Sequence, residues 1–163
     1  MDASTSYDSY LILKGLHLLG MVLFLGNIII TAWWKVMADK TRKPDVIAFA
    51  QRQVTLTDYV FTATGAGLII GTGIWQTMQQ GLDIHNTYWL NWGYWLFMVS
   101  GLIWAAILIP LQFKQAKLAK TFQNDQPIPD QYWKLNKLWM GFGTLATLLP
   151  LLNIYWMVAK PLT

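Results

Sequence analysis

The sequence predicts an all-α integral membrane protein, an antiparallel bundle of four spanning helices. Three observations predict it. Apolar residues make up 55% of the chain and charged ones 12%, with ten Trp and a mean hydropathy of +0.34, which is not the balance of a soluble domain. Four long runs are free of charge: 15–34, broken only by His17, Asn27 and Thr31; 59–78; 89–111, broken only by Asn91 and Ser100; and 138–159. Each is long enough to cross a hydrocarbon core of about 30 Å. Finally, the basic residues stand beside these runs and alternate between their ends. One domain of 163 residues follows, with spans at about 10–37, 57–80, 88–112 and 137–159.

The net charge of +4 does not indicate a nucleic-acid partner, because Lys and Arg flank spans and form no soluble basic face. The natural partner is the lipid bilayer. Without cysteine there is no disulfide framework, thiolate metal site or covalent haem attachment, so any haem would be a non-covalent b-type group. Residues 1–9 carry Asp2 and Asp8 and no basic residue, unlike a cleaved leader, so the first span is expected to be retained.

The first span runs from Tyr10 into Trp33 and Trp34, then into Lys35, Lys40, Arg42 and Lys43. Beyond it, 44–53 reads as a short interfacial helix with Val46, Ile47, Phe49 and Ala50 on one face. In the second span Gly67 and Gly71 have the small-xxx-small spacing that permits close helix approach, although Gly is also simply common in membrane helices. Asp58, Thr62, Gly65, Thr72, Gln76 and Gln79 follow helical steps and form a polar stripe expected to face the bundle. Asp58 is expected at the membrane edge or paired with Arg52.

The loop at 80–88 holds Asp83 and His85 and no basic residue, whereas the third span leads into Lys114, Lys117, Lys120, Lys134 and Lys137. The positive-inside bias then places the two basic linkers in the cytoplasm and both termini and the 80–88 loop outside, as expected of a multi-pass protein of the bacterial inner membrane. Pro127 and Pro129 end any helix continuing from the third span. The fourth span carries Pro150, expected to kink it, and Asn153. Trp33, Trp34, Tyr132, Trp133 and Trp139 read as one aromatic belt, and Trp75, Tyr88, Trp89, Trp92, Tyr94, Tyr155 and Trp156 as the other.

Candidate chemistry centres on the first span. Lys14 and His17 share a face that Met21 and Phe24 continue, and ionisable groups kept in hydrocarbon usually face a cavity, partner or ligand. His17 lies about 10 Å along the axis from residue 10, in the outer half of the membrane. Gln76, Gln79, His85 and Asn153 fall on the same side, so a polar pocket opening outward is expected. A neutral His there can ligate haem iron or another metal, relay a proton or bond a quinone oxygen; equally, it can bond a neighbouring helix and fix packing. Lys14 can snorkel to the headgroups or meet a propionate, phosphate or acidic lipid. The candidate cofactor-binding residues are therefore His17, Lys14, Met21, Asn153 and Gln76, with His17 the candidate metal ligand. Two His in the whole chain limit bis-imidazole ligation to one haem, unless Met21, Lys14 or a second copy contributes. Nucleotide loops, zinc-protease motifs and Glu are all absent, which excludes the usual hydrolase and phosphotransferase signatures.

Leu13-Lys14-Gly15-Leu16-His17-Leu18-Leu19-Gly20 with Phe24-Leu25-Gly26-Asn27, Ala146-Thr147-Leu148-Leu149-Pro150 and Tyr155-Trp156-Met157-Val158-Ala159-Lys160-Pro161 resemble a family of bacterial predicted integral membrane proteins, a domain of unknown function. More distantly, Lys14-x-x-His17 resembles the start of HemJ-type protoporphyrinogen oxidases and of copper-resistance D-type membrane domains. The HemJ resemblance implies a haem-contacting role for His17. The Pro-Arg-Leu that follows the first span in that type is replaced here by Trp33-Trp34-Lys35. Met21 and His17 alone are too few donors for copper. Three readings follow: a redox protein binding b-type haem or quinone, with a membrane redox partner or a second copy; a non-enzymatic membrane subunit or assembly partner; or a small transporter.

Overall fold

A computed structural model describes residues 3–122 and 126–161, with side chains from residue 8 onward. Met1 and Asp2 of the N-terminal stretch, 123–125 of the proline-bearing linker and the last two residues lie outside the described part. All regular secondary structure among the described residues is helical. Four helical runs are long and apolar enough to cross a membrane, Asp8–Thr41, Pro44–Gln79, Tyr88–Ala119 and Asp130–Ala159. At 30 to 36 residues each, these runs exceed the roughly 20 residues a bilayer needs, so they tilt or project from it.

Helix α1 (Ala3–Thr41) ends where Arg42 adopts a left-handed φ of 56°. Pro44 then opens α2 (Pro44–Thr57), where its missing N–H costs nothing. The interfacial helix expected at 44–53 does not stop. It runs through a π-helical turn (Asp58–Thr62) into α3 (Ala63–Gln79), which ends before Gly81 at φ 62°. Helix α4 (Tyr88–Ile103) continues through a second π-turn (Trp104–Leu108) into α5 (Ile109–Ala119). Pro110 explains that turn: it has no N–H for the carbonyl one turn back and its ring crowds that carbonyl, which a wider π-turn accommodates. Helix α6 (Asp130–Ala159) keeps Pro150 inside it and closes on Lys160 at φ 43°.

The helices pack as two pairs. His17 meets Thr72, Phe24 meets Gly65 and Asn27 meets Thr62, so numbers fall along α3 and its π-turn as they rise along α1. Ser100 bonds the Ala146 carbonyl at 2.7 Å and Asn153 bonds that of Gly93 at 2.9 Å, so α4 and α6 match in the same sense. The pairs join at the end bearing the basic linkers, here called the basic end, where α2 packs on α5 and α6 meets α1. Toward the other end, the loop end, no described Cα of α3 comes within 8 Å of α4 or α6. Phe24 and Phe97 bridge the pairs midway, with ring centroids 5.7 Å apart.

Ile12, Val22, Leu102, Leu152 and Val158 are exposed, as lipid-facing residues should be. The apolar core is small: Val54, Leu108, Trp139 and Ala146, with Ile103, Trp104, Leu111 and Met140 against it. Trp139, expected in the aromatic belt, belongs to this core. Much of the remaining interior is polar.

Candidate functional site

Along α1 the inward stripe reads His17, Gly20, Phe24, Asn27, Thr31, Lys35, Asp39, in steps of three and four. All but the half-buried His17 are buried. Three polar layers form along it, one in each third of the bundle.

The layer nearest the loop end is that of His17. Its Nδ1 lies 2.9 Å from the Thr72 hydroxyl. That hydroxyl gives its own hydrogen to the Leu68 carbonyl, so its oxygen accepts and Nδ1 donates. This assignment leaves the lone pair on Nε2. The ring lies over Gly73, where an added Cβ would meet His17 Cε1 at an ordinary contact distance of 3.5 Å. Gln76 lies one turn beyond and donates to the Thr72 carbonyl at 3.3 Å. Met21, half-buried, follows His17 on α1, and Lys14 is exposed with its ammonium 5.7 Å from the Tyr10 ring centre. His17 and Thr72 are thus brought together, while Gln76 bonds within its own helix. Asn153 belongs to the other helix pair, where it holds Gly93, and Gln79 and His85 are exposed.

The middle layer surrounds Asp58, buried at 7% exposure. Its Oδ1 accepts from Asn27 Nδ2 and Thr62 Oγ1, both at 3.0 Å, and its Oδ2 accepts from Gln112 Nε2. Arg52, the expected partner, is exposed and lies over the Phe49 ring. The physical reason is direction: Asp58 shares the inward face of Ile47, Gln51 and Val54, whereas Arg52 falls on the opposite one.

The third layer lies at the basic end. Lys35, fully buried, donates to both Asp39 oxygens at 3.0 and 2.8 Å, to Tyr132 Oη at 2.6 Å and to Asn136 Oδ1 at 2.9 Å. Four oxygens surround an ammonium with three N–H groups, so every donor is engaged. Tyr132, expected in the aromatic belt, is fully buried and also donates to Asp39. Gln115 reaches Asn136 at 3.3 Å, and Gln51 is buried with its amide nitrogen and oxygen both unpartnered. Sequence reasoning missed Lys35, Asp39, Gln51, Gln112, Gln115 and Asn136 as a group. A signal existed in the steps of four from Asn27 to Asp39.

The stripe expected on the second span holds for Asp58, Thr62, Gly65 and Thr72, while Gln76 is half-buried and Gln79 exposed. The close approach falls on Gly20 and Gly65. A Cβ at Gly65 would sit 2.7 Å from the Gly20 carbonyl oxygen, whereas Gly67 and Gly71 face open space.

Outside the spans, Asp83 accepts the His85 backbone N–H at 2.8 Å and the Asn86 amide. The His85 N–H chiefly, with Asn86, holds its carboxyl below the ordinary carboxylate range. With the folded value below the unfolded one, the stabilisation is complete above about pH 3.9 and lost as pH falls through the folded value. Hydrogen exchange at His85 and Asn86 should therefore be flat between about pH 5 and 8 once corrected for intrinsic rates. Protection should disappear at the acid limit, and Asp83→Ala should remove it throughout.

Among the described residues, no group of three or more His, Cys, Asp or Glu is arranged to hold a metal ion. A family model described as "Predicted integral membrane protein (DUF2269)" matches residues 11–161. No curated protein and no solved structure matches the chain.

Proposed function

Because the chain belongs to the DUF2269 family of predicted integral membrane proteins, we propose a place for it within the bilayer, as a redox subunit of the bacterial inner membrane with its basic end in the cytoplasm and both termini outside. In this reading His17 receives a b-type haem or a quinone. The observation that supports it is the hydrogen-bond chain from His17 Nδ1 through Thr72 to the Leu68 carbonyl. Such a chain fixes tautomer and ring orientation, as the outer partners of metal-binding imidazoles do. The Nε2 lone pair is then free to ligate iron or to accept the hydroxyl proton of a quinol.

The residues fit one imidazole ligand. Met21, further along the same α1 face, or a second copy of the chain would supply another, and Lys14 offers a cation for a propionate. A bound haem would supply one-electron transfer; the chain's contribution is to orient His17 through Thr72.

An optical spectrum of gently solubilised protein, before and after hemin addition, tests the haem form. Wild type is expected to show a Soret band and His17→Ala to lose it. Thr72→Val should retain it with weakened affinity, by about 10–100-fold, as when other residues that orient a metal-binding imidazole are removed. Absence of the band in hemin-titrated wild type leaves the quinone form, tested by ubiquinone and menaquinone binding to wild type and His17→Ala. If neither ligand binds wild type, the redox reading falls and a non-enzymatic subunit takes its place. A small transporter is the second reading, favoured by the polar layers at Asp58 and Lys35, and substrate-dependent flux in liposomes tests it.

A further inference from the structure

We infer that Asp58 is a proton-binding site, loaded and unloaded from the basic end through a hydrated file of buried amides and closed toward the loop end by the crossing of α1 and α3. The inference is independent of what His17 binds. A carboxyl kept inside a membrane bundle is a functional feature by default, and here it opens a π-helical turn, a backbone irregularity common at functional sites.

The groups facing Asp58 are neutral. From α1 comes Asn27, with Lys35 and Asp39 further toward the basic end and paired to each other. From the second π-turn and α5 come Trp104, whose buried indole N–H turns toward the carboxyl, and Gln112. On α2 and α5 the cations Arg52, Lys114 and Lys117 are exposed, and α3 contains no charged residue. Among the described residues Lys35–Asp39 is the one ion pair, so no cation within 4.0 Å balances an ionised Asp58. Asn27 and Gln112 turn N–H groups, not carbonyl oxygens, toward the carboxyl. That orientation suits a carboxylate alternating with its acid and does not suit a bound metal cation.

Protonation forms an O–H bond at Oδ2, the oxygen that Gln112 reaches. The proton comes from water at the basic end and returns there, and the carboxyl passes from a charge of −1 to neutral. Gln112 answers the change by turning its amide, presenting oxygen to the new O–H.

The route is visible in the side chains. Gln115 lies one turn from Gln112 on the same face of α5 and reaches Asn136, whose oxygen also accepts from Lys35. Gln51, on the face of α2 two turns before Asp58, is 1% exposed with neither amide atom partnered, and the Gln115 oxygen is unpartnered too. Buried amides left so are satisfied by internal water, which turns this file into a proton path. In the other direction the backbones of Gly20 and Gly65 touch, and Phe24 lies against Gly65.

Infrared difference spectroscopy of the protein in liposomes, stepped in pH, tests the assignment through the C=O stretch of a protonated carboxyl. Wild type is expected to show a reversible band that Asp58→Asn lacks and that Asp83→Asn and Asp45→Asn retain. Asp58→Glu, which keeps the carboxyl, is expected to move the band. Gln51→Leu and Gln115→Leu should keep it while slowing its exchange with deuterium severalfold. No band in wild type, or one unchanged in Asp58→Asn or unmoved in Asp58→Glu, overturns the site. Exchange undisturbed in both Gln variants overturns the route.

Discussion

Replacing Lys35 with methionine is expected to destabilise the folded bundle by about 3–5 kcal/mol, because it strands one member of a buried pair. Asp39, its side chain 11% exposed, would lose its cation, and Tyr132 and Asn136 would lose the donor they share. The fully buried ammonium is placed so that one atom joins α1 to α6, residues nearly a hundred positions apart, which makes the loss a loss of helix docking as well. Reversible unfolding in mixed micelles measures it. Lys35→Met/Asp39→Leu should recover most of the loss, since a buried pair replaced by apolar side chains is often neutral in stability. A double variant less stable than the single one would show that the pair is not the source of the effect.

Gly65→Ala is the second large effect. A single added methyl would stand 2.7 Å from both the Gly20 carbonyl oxygen and the Phe24 nitrogen. Both obstacles are backbone atoms, which no rotamer change can move aside, so α1 and α3 must separate. Overpacking costs typically 1–3 kcal/mol, and a backbone collision belongs at or above the upper end, about 3 kcal/mol. Gly67→Ala and Gly71→Ala provide the contrast. Neither position has an atom within 4 Å of the added methyl, so both variants should lie within about 0.5 kcal/mol of wild type or gain slightly from helix propensity. Equal losses at Gly65 and Gly67 would place the helix contact elsewhere.

Membrane residence was legible because length and apolarity are local properties of the chain. A run such as 15–34 needs no partner to be recognised as long enough for a bilayer, and Pro44 and Gly81 likewise mark helix ends beside such runs. His17 was legible for a similar reason: an imidazole in such a run is conspicuous without any structure. Tyr132 and Lys35 were not. Each stands where an interfacial aromatic or a flanking cation ordinarily stands, and nothing local distinguishes one facing lipid headgroups from one turned inward. Asp58 shows the same limit, since its choice of Asn27 and Gln112 over Arg52 depends on which face of the helix meets α1 and α5.

By itself, then, the sequence determined the helical spans, the alternation of basic and neutral connections, and His17 as a candidate for chemistry, because these follow from hydropathy, charge and spacing along one chain. The tertiary structure decided the rest. It chose Gly20 and Gly65 over Gly67 and Gly71 for the close crossing, separated Asn153 from His17, and gathered Asn27, Asp58 and Gln112 from distant positions into one buried layer. The physical reason is that a polar group in a membrane interior must be satisfied by other helices, and which helix arrives is set by packing between segments rather than by any property of a single one.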